Sequence, residues 1–289
     1  MSSEAAHLAE GERAGARYRL AGTDRPRAGL AGLATGTRTG SSLEFQDHRE
    51  YQPGDDLRTL DWSALARTDR LVVKRFHEEV TPHLDLLLDG SRSMALPGSE
   101  KARASLGLTA LLAVAAGNAG FTHAVWLSGE ACEPVAHGAQ PPGAWRGVKL
   151  DGRSSPADAL RRLPPSFRPR ALRILVSDLL FDGDPELVLE RLSRGGAATV
   201  VVQLLAESDR SPEAAGAARL EDSESGEREE IVLDREALRR YAEALSRHQE
   251  VWRRAARRAG VRLFTLVAEE LVAGWAPREL LADGILVPK

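Results

Sequence analysis

Two apolar runs in this chain end on an aspartate: Leu86-Leu87-Leu88-Asp89 and Ile174-Leu175-Val176-Ser177-Asp178. Runs this short and this apolar suit strands buried on both faces, the kind found in parallel sheets covered by helices. If both are parallel strands, both carboxylates emerge at the carboxyl edge of one sheet, where open α/β folds bind their ligands. Two carboxylates held close together raise each other's pKa unless a cation or a proton lies between them. The pair is thus the first hint of a metal.

The order of the remaining segments supports the same fold. Leu84 to Leu88 is an apolar run with one aspartate inside it, and Lys101 to Ala119 has helical composition, with Leu106, Ala110, Ala113 and Gly117 on one stripe. His123 to Leu127 reads as a strand that Ser128-Gly129 can turn into a hairpin with Cys132 to Ala136. Helices are expected at Pro156 to Leu163 and Pro185 to Ser193, and strands at Leu172 to Val176, Ala198 to Leu205 and Val261 to Val267. From Arg235 to Ala259, Leu238, Tyr241, Leu245, His248, Trp252, Ala255 and Ala259 recur at helical spacing. Strands alternating with helices predict an α/β fold: a doubly wound, mostly parallel sheet with helices on both faces.

The 289 residues suit one large domain with an extension, or two small domains. Residues 1–38, rich in Ala, Gly and Arg without clean periodicity, receive no assigned structure. Residues 39–80 form a denser charged and aromatic extension that ends in a strand, Leu71 to Phe76, and residues 81–289 form the main domain. Residues 207–230 hold nine acids against three arginines and almost no large apolar side chain, which predicts a solvated loop.

A net charge of −3 gives no electrostatic footprint for nucleic acid. The arginines of the 235–259 segment are read as the solvated face of a docked helix. A single cysteine, Cys132, cannot form an internal disulfide and favours a reducing compartment. The first residues lack the basic start and apolar stretch of a secretory signal. Ala104 to Gly129 carries no formal charge, but its continuous apolar part, Leu111 to Ala116, is far too short to span a bilayer. These features predict a soluble, cytoplasmic protein.

The loop after Asp89 strengthens the metal hint. Asp89-Gly90-Ser91-Arg92-Ser93 sets three oxygen side chains at alternate positions, where they can converge while Gly90 lets the backbone turn. Carboxylate and hydroxyl oxygens are hard ligands, suited to Mg²⁺ above all, with Mn²⁺ or Ca²⁺ as alternatives, rather than to zinc. The competing reading has Ser91 and Ser93 bonding backbone groups in the turn and at the start of the next helix. A haloacid-dehalogenase-type phosphatase needs a second Asp two residues after the first, where this chain has Ser91. Neither a phosphate-binding loop, a Gly-x-Ser-x-Gly elbow, a His-Glu-x-x-His pair nor a dinucleotide fingerprint is found.

Asp89-Gly90-Ser91-Arg92-Ser93-Met94 resembles the Asp-x-Ser-x-Ser signature of the metal-ion-dependent adhesion site of von Willebrand factor A domains. Upstream, Glu44-Phe45, Arg49, Tyr51, Pro53-Gly54-Asp55-Asp56, Arg58, Asp61-Trp62, Ala66-Arg67 and Val73-Lys74 resemble the bacterial family called domain of unknown function 58. That family is often found beside MoxR-type AAA+ ATPases. The resemblance implies a von Willebrand A-like fold with an N-terminal β-containing extension, and a cation held by Asp89, Ser91 and Ser93. A threonine from a later loop usually joins them; here Ser154 would take that role, with Ser155 competing, and Asp178 would be the last, often water-mediated, ligand.

In the extension, Pro53-Gly54 suits the centre of a type II turn, and Asp55 or Asp56 could cap a short helix containing Leu57 to Ala66. Asp55, Asp56 and Asp61 with Arg49, Arg58 and Arg67 suggest an ion-pair network that pins the extension in place, or else a surface read by a partner. Trp62 is expected in the core. The function these readings imply is a non-enzymatic adaptor that captures an acidic side chain of a client through the metal and works with a MoxR-type AAA+ ATPase. A metal-dependent phosphoester hydrolase and a metal-free scaffold with a decayed site are the alternatives.

Overall fold

A computed structural model of the chain describes residues 3–21, 39–53, 55–77, 81–213, 216–223 and 226–289. The chain divides into two units, residues 34–81 and the remainder. In chain order the elements are α1 (Ser3–Gly15), β1 (Tyr18–Leu20), β2 (Thr39–Glu50), α2 (Trp62–Thr68), β3 (Val72–His77), β4 (His83–Asp89), α3 (Lys101–Asn118), β5 (Thr122–Ser128), β6 (Cys132–Pro134), α4 (Pro156–Arg162), β7 (Leu172–Ser177), α5 (Pro185–Ser193), β8 (Ala198–Leu205), α6 (Glu207–Arg210), β9 (Gly216–Glu221), β10 (Arg228–Leu233), α7 (Arg235–Ala259), β11 (Arg262–Val267), α8 (Ala268–Gly274), α9 (Arg278–Ala282) and β12 (Leu286–Pro288).

The large unit is built on a six-stranded sheet in the order β11-β8-β7-β4-β5-β6, parallel except for the antiparallel edge strand β6. Alternation along each strand separates two cores. Leu84, Leu86 and Leu88 join Ile174, Val176, Val200 and Val202 on one face, packed against α3 and α8. Leu87, Leu175 and Val201 face the other way, against α4, α5 and the Trp252 end of α7. Both faces are covered, which is why the strands read as continuous apolar runs. Asp85 is the exception inside β4; buried on the Leu87 face, it accepts hydrogen bonds from the Arg168 amide (2.9 Å) and the Trp126 indole (3.3 Å).

β4 sits in the middle of the sheet. From it the chain first builds outward to β5 and β6, and then returns to add β7, β8 and β11 on the opposite side. The order reverses between β4 and β7, and the carboxyl ends of those two strands form the switch-point crevice of an open α/β sheet.

Residues 3–21, which carry no clear sequence pattern, are part of this unit. α1 lies along α3 so closely that a Cβ added at Gly11 would sit 2.0 Å from the Gly107 carbonyl oxygen, and Glu10 pairs with Arg103 (2.5 Å). β1 then pairs antiparallel with β12. Small residues in this segment serve close helix packing, which has no strong hydrophobic period. The 207–230 stretch also differs from the expected solvated loop, since it carries α6 and most of an antiparallel β9–β10 hairpin. Its charges alternate in sign across the ladder, with Arg219 opposite Glu230 (3.0 Å) and Arg228 opposite Glu221 (2.8 Å). Opposite charges directly across a ladder favour pairing.

The small unit is an antiparallel β2–β3 pair with α2 between its strands in sequence. Leu60, Ala64 and Val73 form its buried centre. Among the described residues of the whole chain, no helix is long and apolar enough to cross a membrane.

The α1–α3 contact yields a paired prediction. Gly11→Ala should destabilise the protein by about 1–3 kcal/mol, because backbone rather than a movable side chain stands in the way. Gly117→Ala, at an α3 position with nothing within 4 Å of the added carbon, should stabilise it by roughly 0.5–1 kcal/mol. Urea unfolding of both variants checks the opposite signs.

Candidate functional site

Asp89 ends β4 and is wholly buried. One of its carboxylate oxygens accepts the Ser91 amide (3.0 Å) and the other accepts the Ser177 hydroxyl (2.6 Å), a bond that ties β4 to β7. Gly90 is required here by close approach rather than by an unusual turn, since a Cβ would lie 2.3 Å from the Ser128 carbonyl oxygen. Ser91, buried, places its hydroxyl 3.0 Å from that of half-buried Ser93. The first three sequence candidates are thus brought together at the switch point, with the two hydroxyls converging.

The other two candidates are placed differently. Gly152 docks beside the loop through a Ser91–Gly152 bridge and the Arg92 amide on its carbonyl (2.9 Å), which brings residues 152–155 near the site. Yet the Ser154 hydroxyl donates to Glu130 (2.9 Å) and accepts from Arg162 (3.2 Å). Ser155 caps α4, accepting the Asp158 amide (3.2 Å) and donating to the Asp158 carboxylate (3.1 Å). Asp178, just past β7, is buried, with one oxygen accepting the Leu180 amide (3.0 Å). Its other oxygen accepts the Lys101 ammonium at 2.8 Å.

Lys101, Asp209, Ser177 and Leu179 are the residues that sequence reasoning did not single out. Lys101 begins α3 and its side chain is 1% exposed, held between Asp178 and Asp209 (3.1 Å). Burial pulls its pKa down, but the charges of the two carboxylates more than offset that, so the net shift is upward and the ammonium persists. A usable signal existed: only four of the 39 basic residues are lysines. Asp209 is fixed in turn by the Ala206 amide (2.9 Å). Leu179 adopts the left-handed region (φ 58°) although it is a fully buried leucine. Such a conformation costs about 1–3 kcal/mol. It is held by its amide donating to Ser177 (3.0 Å) and its carbonyl lying 2.6 Å from His248 Nε2. The strain sits directly beside Asp178.

Burial, then the charge of Asp178, push the Asp89 carboxyl up to about 6, against the lowering effect of its bonds to Ser177 and Ser91. A carboxylate with this penalty would gain from a nearby cation, and two hydroxyls converge beside it. The donor chemistry of Asp89, Ser91 and Ser93 therefore fits a hard divalent ion, whereas Asp178 is already committed to an ammonium. Among the described residues, no three His, Cys, Asp or Glu side chains gather into a metal-binding group. Next to Ser93 opens a cleft of about 640 Å³, also lined by Asp158, Leu180, Phe181, Tyr241 and His248. Cys132 is buried away from water, which pushes its thiol up to about 12 and leaves it unreactive.

In the small unit, Arg49 pairs with Asp55 (2.7 Å) and Arg58 with Asp56 (2.9 Å), the latter exposed. Asp56 caps the turn at Leu57–Thr59, and Asp61 caps α2 through the Ser63 and Ala64 amides while meeting His48 (2.7 Å). The expected single helix is interrupted between these two caps. Arg67 donates to the Ser63 carbonyl (3.1 Å) within its own helix, and the Tyr51 amide to the Leu71 carbonyl (3.0 Å). The Asp55 amide closes a turn on the Gln52 carbonyl (3.0 Å) across Pro53, while Gly54 lies outside the described residues. Trp62, expected in the core, is 64% exposed. It is the first residue of α2, and the helix turns Ala64 inward instead.

Residues 47–251 match the family model described as "Protein of unknown function DUF58". No curated protein matches the chain. Among solved structures, the conserved hypothetical protein BatB from Bacteroides thetaiotaomicron is similar at 10% identity and a TM-score of 0.39, over 68% of this chain and 97% of that one. An aerotolerance-related membrane protein from Bacteroides fragilis, carrying multiple mutations to serines, is similar at 13% identity and a TM-score of 0.37, over 71% and 98%.

The Asp89 environment makes a pH prediction. A carboxyl whose folded pKa is raised favours the folded state below its unfolded pKa of 3.8, and that contribution is lost as pH rises through about 6. With EDTA present, Asp89→Asn should be more stable than wild type at pH 7 by about 2–3 kcal/mol. The advantage should vanish near pH 4. Urea unfolding across that range measures it, and a pH-independent difference would contradict the assigned environment.

Proposed function

This chain belongs to the DUF58 family of proteins of unknown function, and from that premise we propose that it is a non-enzymatic, divalent-cation-dependent protein-binding adaptor. The observation that carries the reading is the convergence of Asp89, Ser91 and Ser93 at the switch point of the sheet, beside a cleft that Ser93 also lines. One carboxylate and two hydroxyls are few protein ligands for Mg²⁺, which prefers six oxygens, or for Mn²⁺ or Ca²⁺ in its place. Coordination positions are left for water and for an acidic side chain from a client protein. In this reading the site is of the von Willebrand A adhesion type, with Ser154 and Asp178 outside the set that touches the ion.

A MoxR-type AAA+ ATPase as the partner, and a cytoplasmic setting, complete the proposal. The partner rests on the resemblance of the Glu44–Lys74 segment, and the setting on the single cysteine, Cys132, which suits a reducing compartment. Leu57, Trp62 and Leu71 are 59%, 64% and 46% exposed on the small unit, which supports a surface read by a partner better than a purely internal role.

Thermal unfolding tests the cation. Mg²⁺ or Mn²⁺ at about 100 times its Kd should stabilise wild type by about 2.7 kcal/mol over the EDTA sample, raising Tm by roughly 5–10 °C. Asp89→Asn should show no rise. A wild type that does not respond at any cation concentration would remove the basis of the metal-bridged adaptor.

A further inference from the structure

The cation site and the buried lysine beside it compete for the same negative charge. Asp89 and Asp178 end neighbouring parallel strands, with Leu88 opposite Val176 and the Ser177 hydroxyl donating to Asp89 at 2.6 Å, and a divalent ion between them would ordinarily use both. Here both oxygens of Asp178 are occupied, one by the Leu180 amide and one by Lys101 Nζ at 2.8 Å. The ammonium is not a surface group that drifted inward: it is 1% exposed, has a second acceptor in Asp209 at 3.1 Å, and Asp209 is itself fixed by the Ala206 amide. Its position at the first residue of α3, reached directly from the Ser91–Ser93 loop, delivers it into the crevice from the same loop that supplies the hydroxyls.

We propose that Lys101 is a tethered cation that holds the Asp178 half of the site, confining a divalent ion to Asp89, Ser91 and Ser93 and keeping its affinity low until a partner adds a carboxylate. The inference rests on the cation-dependent reading given above. Like charges in a site of low dielectric repel strongly, so an ion approaching Asp89 meets the ammonium as well as the carboxylates. A low intrinsic affinity leaves the partner's acidic group to complete the binding, and makes capture depend on the ion and the partner together. An ion pair serving stability alone would leave the affinity for the ion unchanged when its charge is removed.

Mn²⁺ titration of the full chain by electron paramagnetic resonance, with circular dichroism to confirm folding, tests the proposal on wild type, Lys101→Met, Asp89→Asn and the double variant Lys101→Met/Asp178→Asn. Lys101→Met should bind Mn²⁺ roughly tenfold or more tightly than wild type. The double variant should lose that gain, because the freed Asp178 is what supplies it. If Lys101→Met does not fold, Lys101→Gln, which keeps an N–H toward Asp178 without the charge, carries the same expectation. Wild-type binding that Asp89→Asn abolishes, but that is unchanged or weaker in the folded Lys101 variant, overturns this inference alone. An absence of Mn²⁺ binding in wild type and in the Lys101 variants overturns the cation reading with it.

Discussion

Two carboxylates that end neighbouring strands of a buried sheet need positive charge or donated hydrogen bonds, and the surroundings of Asp89 and Asp178 supply both. β4 and β7 are paired in parallel, so their ends cannot separate without breaking the centre of the sheet. The Ser177 hydroxyl bridges the two strands onto Asp89. Backbone amides of Ser91 and Leu180 cover one oxygen of each carboxylate. The ammonium of Lys101 neutralises Asp178, and Asp209 comes in behind it. Even the left-handed Leu179 follows from this constraint, because the chain must reverse immediately after Asp178 for its amides to reach back. Strain of this kind persists only where the surroundings over-determine it.

The result is an asymmetric crevice. On the Asp178 side, every oxygen has a fixed partner within the chain. On the Asp89 side, two serine hydroxyls can exchange their mutual bond for another acceptor or an ion, and the cleft lined by Ser93 opens next to them. The loop carrying Ser154 and Ser155 closes the crevice from a third direction, but its hydroxyls are spent on Glu130 and on the cap of α4. Adaptability is thus concentrated on one carboxylate and two hydroxyls, which is where a ligand from outside could enter without dismantling the sheet.

Much of this was legible in the sequence, for definite reasons. The strands β4, β7 and β8 read as apolar runs because both their faces are buried, and α7 shows in the helical spacing of Leu238, Tyr241, Leu245, His248, Trp252, Ala255 and Ala259. Asp89, Ser91 and Ser93 could be placed together because they are local. Long-range partners could not be. Lys101 and Asp209 meet only because α3 and α6 start at the same edge of the sheet, and Asp209 was hidden in an acid-rich stretch that looked solvated. Residues 3–21 were opaque because α1 packs through Gly11 and Gly15, and close packing through glycine leaves no periodic apolar signal. Trp62 misled because aromatic size suggests a core, whereas its place is decided by the Asp61 cap that starts its helix.

The choice of lysine at position 101, in a chain with four lysines and 35 arginines, follows from the geometry of its cradle. A guanidinium is a planar fork whose donors match the paired oxygens of a single carboxylate or phosphate. Lys101 instead reaches one oxygen from each of two carboxylates, at 2.8 and 3.1 Å, in a space closed to solvent. A compact ammonium can donate to both from a space this small, while a planar guanidinium would need more room. The same compactness makes the desolvation of the ammonium costly, so it stays buried only while both acceptors remain in place. Asp178 and Asp209 therefore belong to the lysine as much as to the sheet, and any external cation that enters this crevice has to be accommodated around that prior arrangement.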